Sequence, residues 1–323
     1  MKVFWVAVAV LLPLAAQTEP TIRVPVRLVS LPVVVFSKTG QLVPGLLERN
    51  FHVYDNGQTQ KATVDTAAGP LSVVVAIQVN LDVRTYVPFI AKTGSVMEGA
   101  LSGDSGETAV IAYNDEVTTL KPFDTEDQSP LRRISADGKQ ARMIDAGLLG
   151  VALLKKRPPS RTRVLVFIGQ AADSGSDSGL ASLGLQAQRE NVTVYALALP
   201  QFGRAFVSDA ISLQGASQQE KGGFKAGLDL GHLIGVLRRT GDTERGADPF
   251  SVLASATGGT QLPFRKQREL EKAIAVVGVQ QRSAYRLSYY PSSSEPGYHI
   301  IKVEVDIPGA KVQARPGYWF GAN

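Results

Sequence analysis

Four short apolar runs, separated by amphipathic stretches, constrain this chain more than any other feature. LSVVVAI (71–77), ETAVIAY (107–113), RVLVFIG (163–169) and VTVYALAL (192–199) are apolar at nearly every position. A strand with one face in water alternates apolar and polar residues; a strand covered on both faces does not. Between the runs, residues 84–101, DAGLLGVALLKK (145–156) and SGLASLGLQAQREN (178–191) carry apolar residues at helical spacing. Buried strands alternating with helices of this length predict a doubly wound, mostly parallel sheet with helices on both faces. A short strand over 117–120 is expected beside the second run. DPFSVLASATGG (248–259) reads as a capped helix stopped by Gly258 and Gly259, TQLPF (260–264) as an edge strand and RELEKAIAVVGVQQ (268–281) as a further helix. Residues 200–245, with GFKAGLDLGHLIGVLRRTG (223–241), read as an irregular excursion holding one or two glycine-weakened helices.

The flanks have another character. TIRVPVRLVSLPVVVFS (21–37) and FHVYD (51–55) have strand character, with turns at SKTG (37–40) and DNGQ (55–58). Asn56-Gly57 is a strong hairpin turn. AYRLSYYP (284–291), HIIKVEVDI (299–307) and KVQARPGYWF (311–320) read as three strands. Neither flank is long enough to bury much core alone. The economical arrangement is one β-sandwich assembled from both ends, with the α/β domain inserted between; two independent β appendages are the alternative. The expected division is an N-terminal β segment at 22–68, an α/β domain at 69–282 and a C-terminal β segment at 283–323.

MKVFWVAVAVLLPLAA (1–16) places one lysine before an apolar stretch and ends on small residues. That is the pattern of a cleaved signal peptide, so an exported protein, periplasmic or secreted, is expected, with no membrane span after cleavage. An uncleaved N-terminal anchor is the alternative reading. The chain has no cysteine, which excludes disulfides, thiolate metal sites, cysteine nucleophiles and a lipoprotein anchor. Its three histidines, His52, His232 and His299, are in no ligand spacing. They read as structural, with His52 at the surface. The formal charge of +5 comes without a basic stripe interleaved with aromatics, so nucleic acid is not implied. No phosphate loop or GxGxxG follows the first apolar run, which leaves a nucleotide cofactor unsupported. DSGSDSG (173–179) has Asp177 where a nucleophile elbow needs serine, and reads as a turn with a helix cap. The tyrosines at 285, 289, 290, 298 and 318 and Trp319 read as β core or rim.

Several landmarks together carry a family resemblance. VVVFSKTGQLVPGLLERNFHVYDNGQTQ (33–60) resembles the opening signature of the von Willebrand factor A-related family abundant in acidobacteria, with Asn50 where that family has aspartate. LASATGGTQ (253–261) is similar to its "LA-x-x-TGG" element. YRLSYYP (285–291), GYHIIKVEV (297–305) and RPGYWF (315–320) are similar to its closing strands. The resemblance covers nearly the whole mature chain. It implies a von Willebrand A-like doubly wound sheet.

The resemblance also implies a metal-ion-dependent adhesion site beyond the carboxyl ends of the strands: an Asp-x-Ser-x-Ser loop after the first strand, a threonine from a second loop and an aspartate ending a later strand. Here those positions fall on Gln78, Asn80, Asp82, Ala141 and Gly169. None has the expected residue type. Mg²⁺ gives up water reluctantly and is held through carboxylates. One carboxylate and two neutral amides are a poor substitute, and the expected site is degenerate and metal-free. A slipped arrangement using Asp82, Asp145 or Asp173 has no spacing that demands it. A plainer reading of the first loop is a polar cap, with Asp82 as N-cap and residues 83–86 as the first helical turn. The function expected is that of a non-enzymatic protein-binding module of adhesion or scaffold type, with no cofactor and a protein partner contacting the loops at 78–82, near Ala141 and near Gly169. A structural envelope component acting through its β-sandwich is the alternative.

Overall fold

The computed structural model describes residues 28–65, 69–103, 105–125, 130–200 and 248–321. The expected signal peptide, the excursion within 200–245 and His232 therefore lie outside the described residues, apart from Pro200.

In chain order the strands of the first flank are β1 (Val29–Phe36), β2 (Phe51–Asp55), β3 (Gln58–Gln60) and β4 (Thr63–Asp65). The central region follows with β5 (Leu71–Gln78), α1 (Val87–Lys92), α2 (Gly94–Ser102), β6 (Glu107–Tyr113), β7 (Val117–Lys121), α3 (Met143–Lys155) and β8 (Thr162–Gln170). It continues with α4 (Leu180–Arg189), β9 (Val192–Leu199), α5 (Pro249–Thr257), β10 (Gln261–Pro263) and α6 (Gln267–Arg282). The chain closes with β11 (Tyr285–Tyr289), β12 (Gly297–Val305), β13 (Lys311–Gln313) and β14 (Gly317–Phe320).

The central sheet has the order β10-β9-β8-β5-β6-β7, parallel except for the antiparallel edge strand β7. Every residue of β5 and β9 is buried, as unalternating apolar runs require. Val73, Val75 and Ile77 of β5 belong to the core shared with Ile90, Leu101, Leu270 and Ile274 of α1, α2 and α6. Val74 and Ala76 face the opposite core, with Met143, Leu154, Leu183 and Phe250 of α3, α4 and α5. The fold is thus a three-layer doubly wound α/β body, as the resemblance implies.

The flanks do not form separate appendages. One sheet runs β13-β1-β11-β4 and the other β14-β12-β2-β3, so each combines strands from both ends of the chain. Val29, Leu31, Val33 and Val35 alternate into the space between them and meet Phe51, Val53, Leu287, Tyr289 and Ile301. Asn56 and Gly57, at φ 48° and 80°, make the β2–β3 turn that two left-handed residues specify.

KVQARPGYWF, expected as one strand, is two strands in two different sheets. Pro316 has no N–H to donate to a ladder, and a Cβ on Gly258 at the end of α5 would lie 2.6 Å from the Arg315 nitrogen. The segment bends where it crosses the body and changes sheet. Gln313 Nε2 donates to Gly258 O at 3.0 Å there, and Arg286 Nη2 reaches Thr162 Oγ1 at 3.1 Å at another junction. No helix among the described residues is long and apolar enough to cross a membrane.

Candidate functional site

The strand order reverses direction between β5 and β8, and crevices for ligands in doubly wound sheets open beyond the carboxyl ends at such a point. Gln78 ends β5, Gly169 and Gln170 end β8, and Tyr113 ends β6 beside them. The turn after β5 returns across β6: Val79 N donates to Tyr113 O at 2.9 Å, Leu81 N to Gly138 O at 3.0 Å and Asp137 N to Val79 O at 2.8 Å.

A chain of hydrogen bonds with one direction runs through the first loop. Gln170 N donates to Gln78 Oε1 at 2.6 Å. That contact turns the amide NH₂ of Gln78 toward Asn80 Oδ1, 2.8 Å away. Asn80 Nδ2 in turn donates to Asp82 Oδ2 at 3.1 Å and to Lys139 O at 3.3 Å. Gln78 and Asn80 are buried while Asp82 is exposed, so the chain begins at the sheet and ends at solvent. Asp82 is not the helix cap expected of it. Asn80 holds the cap position of a 3-10 turn over Leu81–Val83, and no side chain caps it.

Ala141 sits at the entry to α3, bridged to Ser174: its N–H donates to Ser174 Oγ at 2.8 Å, and Ser174 N donates to Ala141 O at 2.9 Å. The loop after β8 wraps the exposed N–H groups of this helix start. Asp173 Oδ1 accepts from Ile144 N at 2.8 Å and from the Ser176 hydroxyl at 2.6 Å, and Ser176 Oγ accepts from Asp145 N. DSGSDSG therefore caps a helix, but the one before it in sequence. Arg142 clasps Asp145 through Nε and Nη2 at 2.9 and 2.6 Å and reaches Asp177 as well, which holds the guanidinium pKa above its ordinary value. Asp115 Oδ1 accepts Lys139 N and Gln140 N at 2.9 and 2.6 Å.

The loops holding Gln78, Asn80, Asp82, Ala141 and Gly169 thus meet at one edge of the central sheet. Asp145 and Asp173 are engaged at the α3 start. Among the described residues, no group of three or more histidine, aspartate or glutamate side chains is gathered as a metal ion would need. The exposed side of the edge carries Leu81, which is 43% accessible, with Asp82, Glu116 and Lys139.

Tyr113 is the residue that reading the sequence missed. Its ring lies edge-on to Phe167, its hydroxyl is buried, and among the described residues that hydroxyl has no hydrogen-bond partner. Burial, and then the nearby Asp173 charge, push the phenol pKa far up, so it stays neutral. No sequence signal marks it, because a tyrosine ending an apolar run reads as core.

No protein-family model matches this chain, and no curated protein matches it. Solved structures resemble it at low identity. A von Willebrand factor type A protein from Catenulispora acidiphila is 10% identical with a TM-score of 0.46, covering 92% of this chain and 75% of that one. Proximal thread matrix protein 1 from the mussel byssus, a structure with a zinc-occupied MIDAS motif, is 9% identical with a TM-score of 0.46, covering 71% and 50%. The conserved hypothetical protein BatB from Bacteroides thetaiotaomicron is 13% identical with a TM-score of 0.42, covering 66% and 98%.

Proposed function

We propose that this chain is an exported, non-enzymatic protein-binding module of von Willebrand A type. Its sheet-edge loops receive a protein partner without a bridging metal. The α/β body of residues 69–282 carries the loops, and the β-sandwich of 22–68 and 283–323 anchors it.

The hydrogen-bond chain from Gln170 through Gln78 and Asn80 to Asp82 carries the reading. A hard divalent cation needs oxygens aimed at one point, several of them charged. Here both amide oxygens accept hydrogen bonds from neighbours, the carboxylate ends at the surface, and Ala141 and Gly169 bring no side-chain oxygen. This donor set does not fit Mg²⁺. What it supports is a set of ordered loops with Leu81 exposed at their crest. Loops already held in place lose little freedom on binding, which favours recognition by shape and hydrogen bonds.

The second reading, a structural component acting through its sandwich, is favoured by Tyr290 and Ile300, which are 61% and 49% accessible there. Crosslinked capture from cells that make the protein tests the two together. Under the first reading Leu81→Ser loses the captured partner, Ile300→Ser keeps it, and chelator changes nothing. The reverse pattern of variants transfers the function to the sandwich. A melting-temperature shift with Mg²⁺, Mn²⁺ or Ca²⁺ that vanishes in Asp82→Ala overturns the metal-free part.

A further inference from the structure

We propose that Tyr113 is the residue that closes this edge to a divalent cation, by filling from within the switch point at the carboxyl ends of β5 and β8. The inference rests on the metal-free reading of the same site and gives it a physical cause.

Gly169 lies at the end of β8. A Cβ there would stand 2.6 Å from Gln78 Cβ, 2.6 Å from Gln78 Oε1 and 2.9 Å from Tyr113 Oη. Side chains do not approach so closely in a packed interior. Any residue other than glycine at 169 must therefore displace both Gln78 and Tyr113. Gln78 is not free to yield, since its amide oxygen holds Gln170 N and its NH₂ holds Asn80.

Tyr113 is the other wall. It belongs to β6, which pairs with β5, and its hydroxyl reaches across β5 to the Gly169 position in β8. Phe167 packs against its ring, so the ring is held in the core. A phenylalanine would make that ring contact equally well. The hydroxyl adds no hydrogen bond within the described residues. What it does add is volume beside Gly169.

Losing ligand residues and filling their place are different events. If only the ligands were lost, restoring them would restore the ion. With Tyr113 in position, restoring them fails. One chain carries Gln78→Asp, Asn80→Ser, Asp82→Ser, Ala141→Thr and Gly169→Asp; a second adds Tyr113→Leu. Titration with Mn²⁺ followed by calorimetry should find no binding to the natural chain or to the first variant. The second should bind at least about tenfold more tightly than the first, a difference of about 1.4 kcal/mol. Equal binding by the two restored chains, or none by the second, overturns the role of Tyr113. Binding by the natural chain overturns the metal-free reading itself, whatever the variants do. A double-mutant cycle of Gly169→Ala and Tyr113→Phe decides the matter if the multiple variants do not fold. Tyr113→Phe should leave the melting midpoint unchanged or raised and should recover part of the loss that Gly169→Ala causes. Additive effects, or a fall in midpoint for Tyr113→Phe alone, overturn the inference.

Discussion

Asp55 and His299 stand 244 positions apart in the chain and 2.8 Å apart, Oδ1 to Nδ1, inside the β-sandwich. Each is almost wholly buried, and each comes from a different end of the sequence. The second oxygen of Asp55 accepts the hydroxyls of Tyr289 and Tyr318 at 3.0 and 2.7 Å, and His299 Nε2 reaches Glu295 O at 2.8 Å. One carboxylate thus satisfies three polar groups that would otherwise be stranded in the core.

Asp55→Ala should accordingly be among the most damaging single changes in the sandwich. It removes the acceptor from an imidazole and two phenols at once. We expect a loss of about 3–5 kcal/mol in denaturant unfolding. Tyr318→Phe removes one contact and leaves Asp55 its other partners, so it should cost only about 1 kcal/mol. Similar losses for the two would show that Asp55 is not the organising group.

Glu107 governs part of the acid stability of the body. Burial alone would raise its carboxyl pKa; hydrogen bonds from Arg157 and Ser72 and the charges of Arg161 and Arg157 outweigh that and hold it below its ordinary value of 4.5. Arg157 grips it through Nε at 2.7 Å and Nη2 at 2.6 Å. A group whose folded pKa is depressed adds stability that is present above the unfolded pKa and is lost as pH falls through the folded one. Stability should therefore decline below about pH 4.5, and Glu107→Gln should be less stable at neutral pH with a shallower acid decline. Parallel stability curves for the two proteins, measured by urea unfolding across pH, would rule this out.

Asp248 should act as both cap and tie. Its Oδ1 accepts Phe250 N at 3.0 Å at the start of α5, and its Oδ2 accepts Gln261 Nε2 at 2.6 Å. Asp248→Ala loses both, and the cap alone is worth about 1 kcal/mol. Asp248→Asn keeps the capping oxygen and should recover most of the loss. Failure of asparagine to rescue the thermal midpoint would assign the effect to the Gln261 tie.

A chain beginning at residue 69 should keep its α/β body but not its closing strands. Such a chain lacks β1 and β4, which pair with β11, and β2, which pairs with β12. Limited proteolysis should cut it within 283–323 while the full chain resists. Equal resistance there would mean the C-terminal strands fold without the N-terminal ones.

The α/β body was legible because its signals are local. The runs that became β5, β6, β8 and β9 are short and apolar at consecutive positions, as strands covered on both sides are. The helix starting at Asp248 and ending at Gly258 announced both of its ends. The site positions came from the family resemblance, and the structure gathers the loops that hold Gln78, Asn80, Asp82, Ala141 and Gly169 at one edge. What those residues do with one another was not legible. Asp82 looked like a cap because a carboxylate before an apolar turn usually is one, but its carboxylate accepts from the Asn80 amide and Asn80 holds the cap position.

By itself the sequence determined that β5, β6, β8 and β9 are strands covered on both faces and that helices alternate with them, because periodicity records how many faces of an element meet apolar neighbours. Only the tertiary structure decided that each sandwich sheet draws strands from both ends of the chain, that KVQARPGYWF divides between two sheets, and that the Tyr113 hydroxyl lies against Gly169 from across β5. Those outcomes depend on contacts between residues far apart in the chain, set by volume and hydrogen-bond partners that no local window contains.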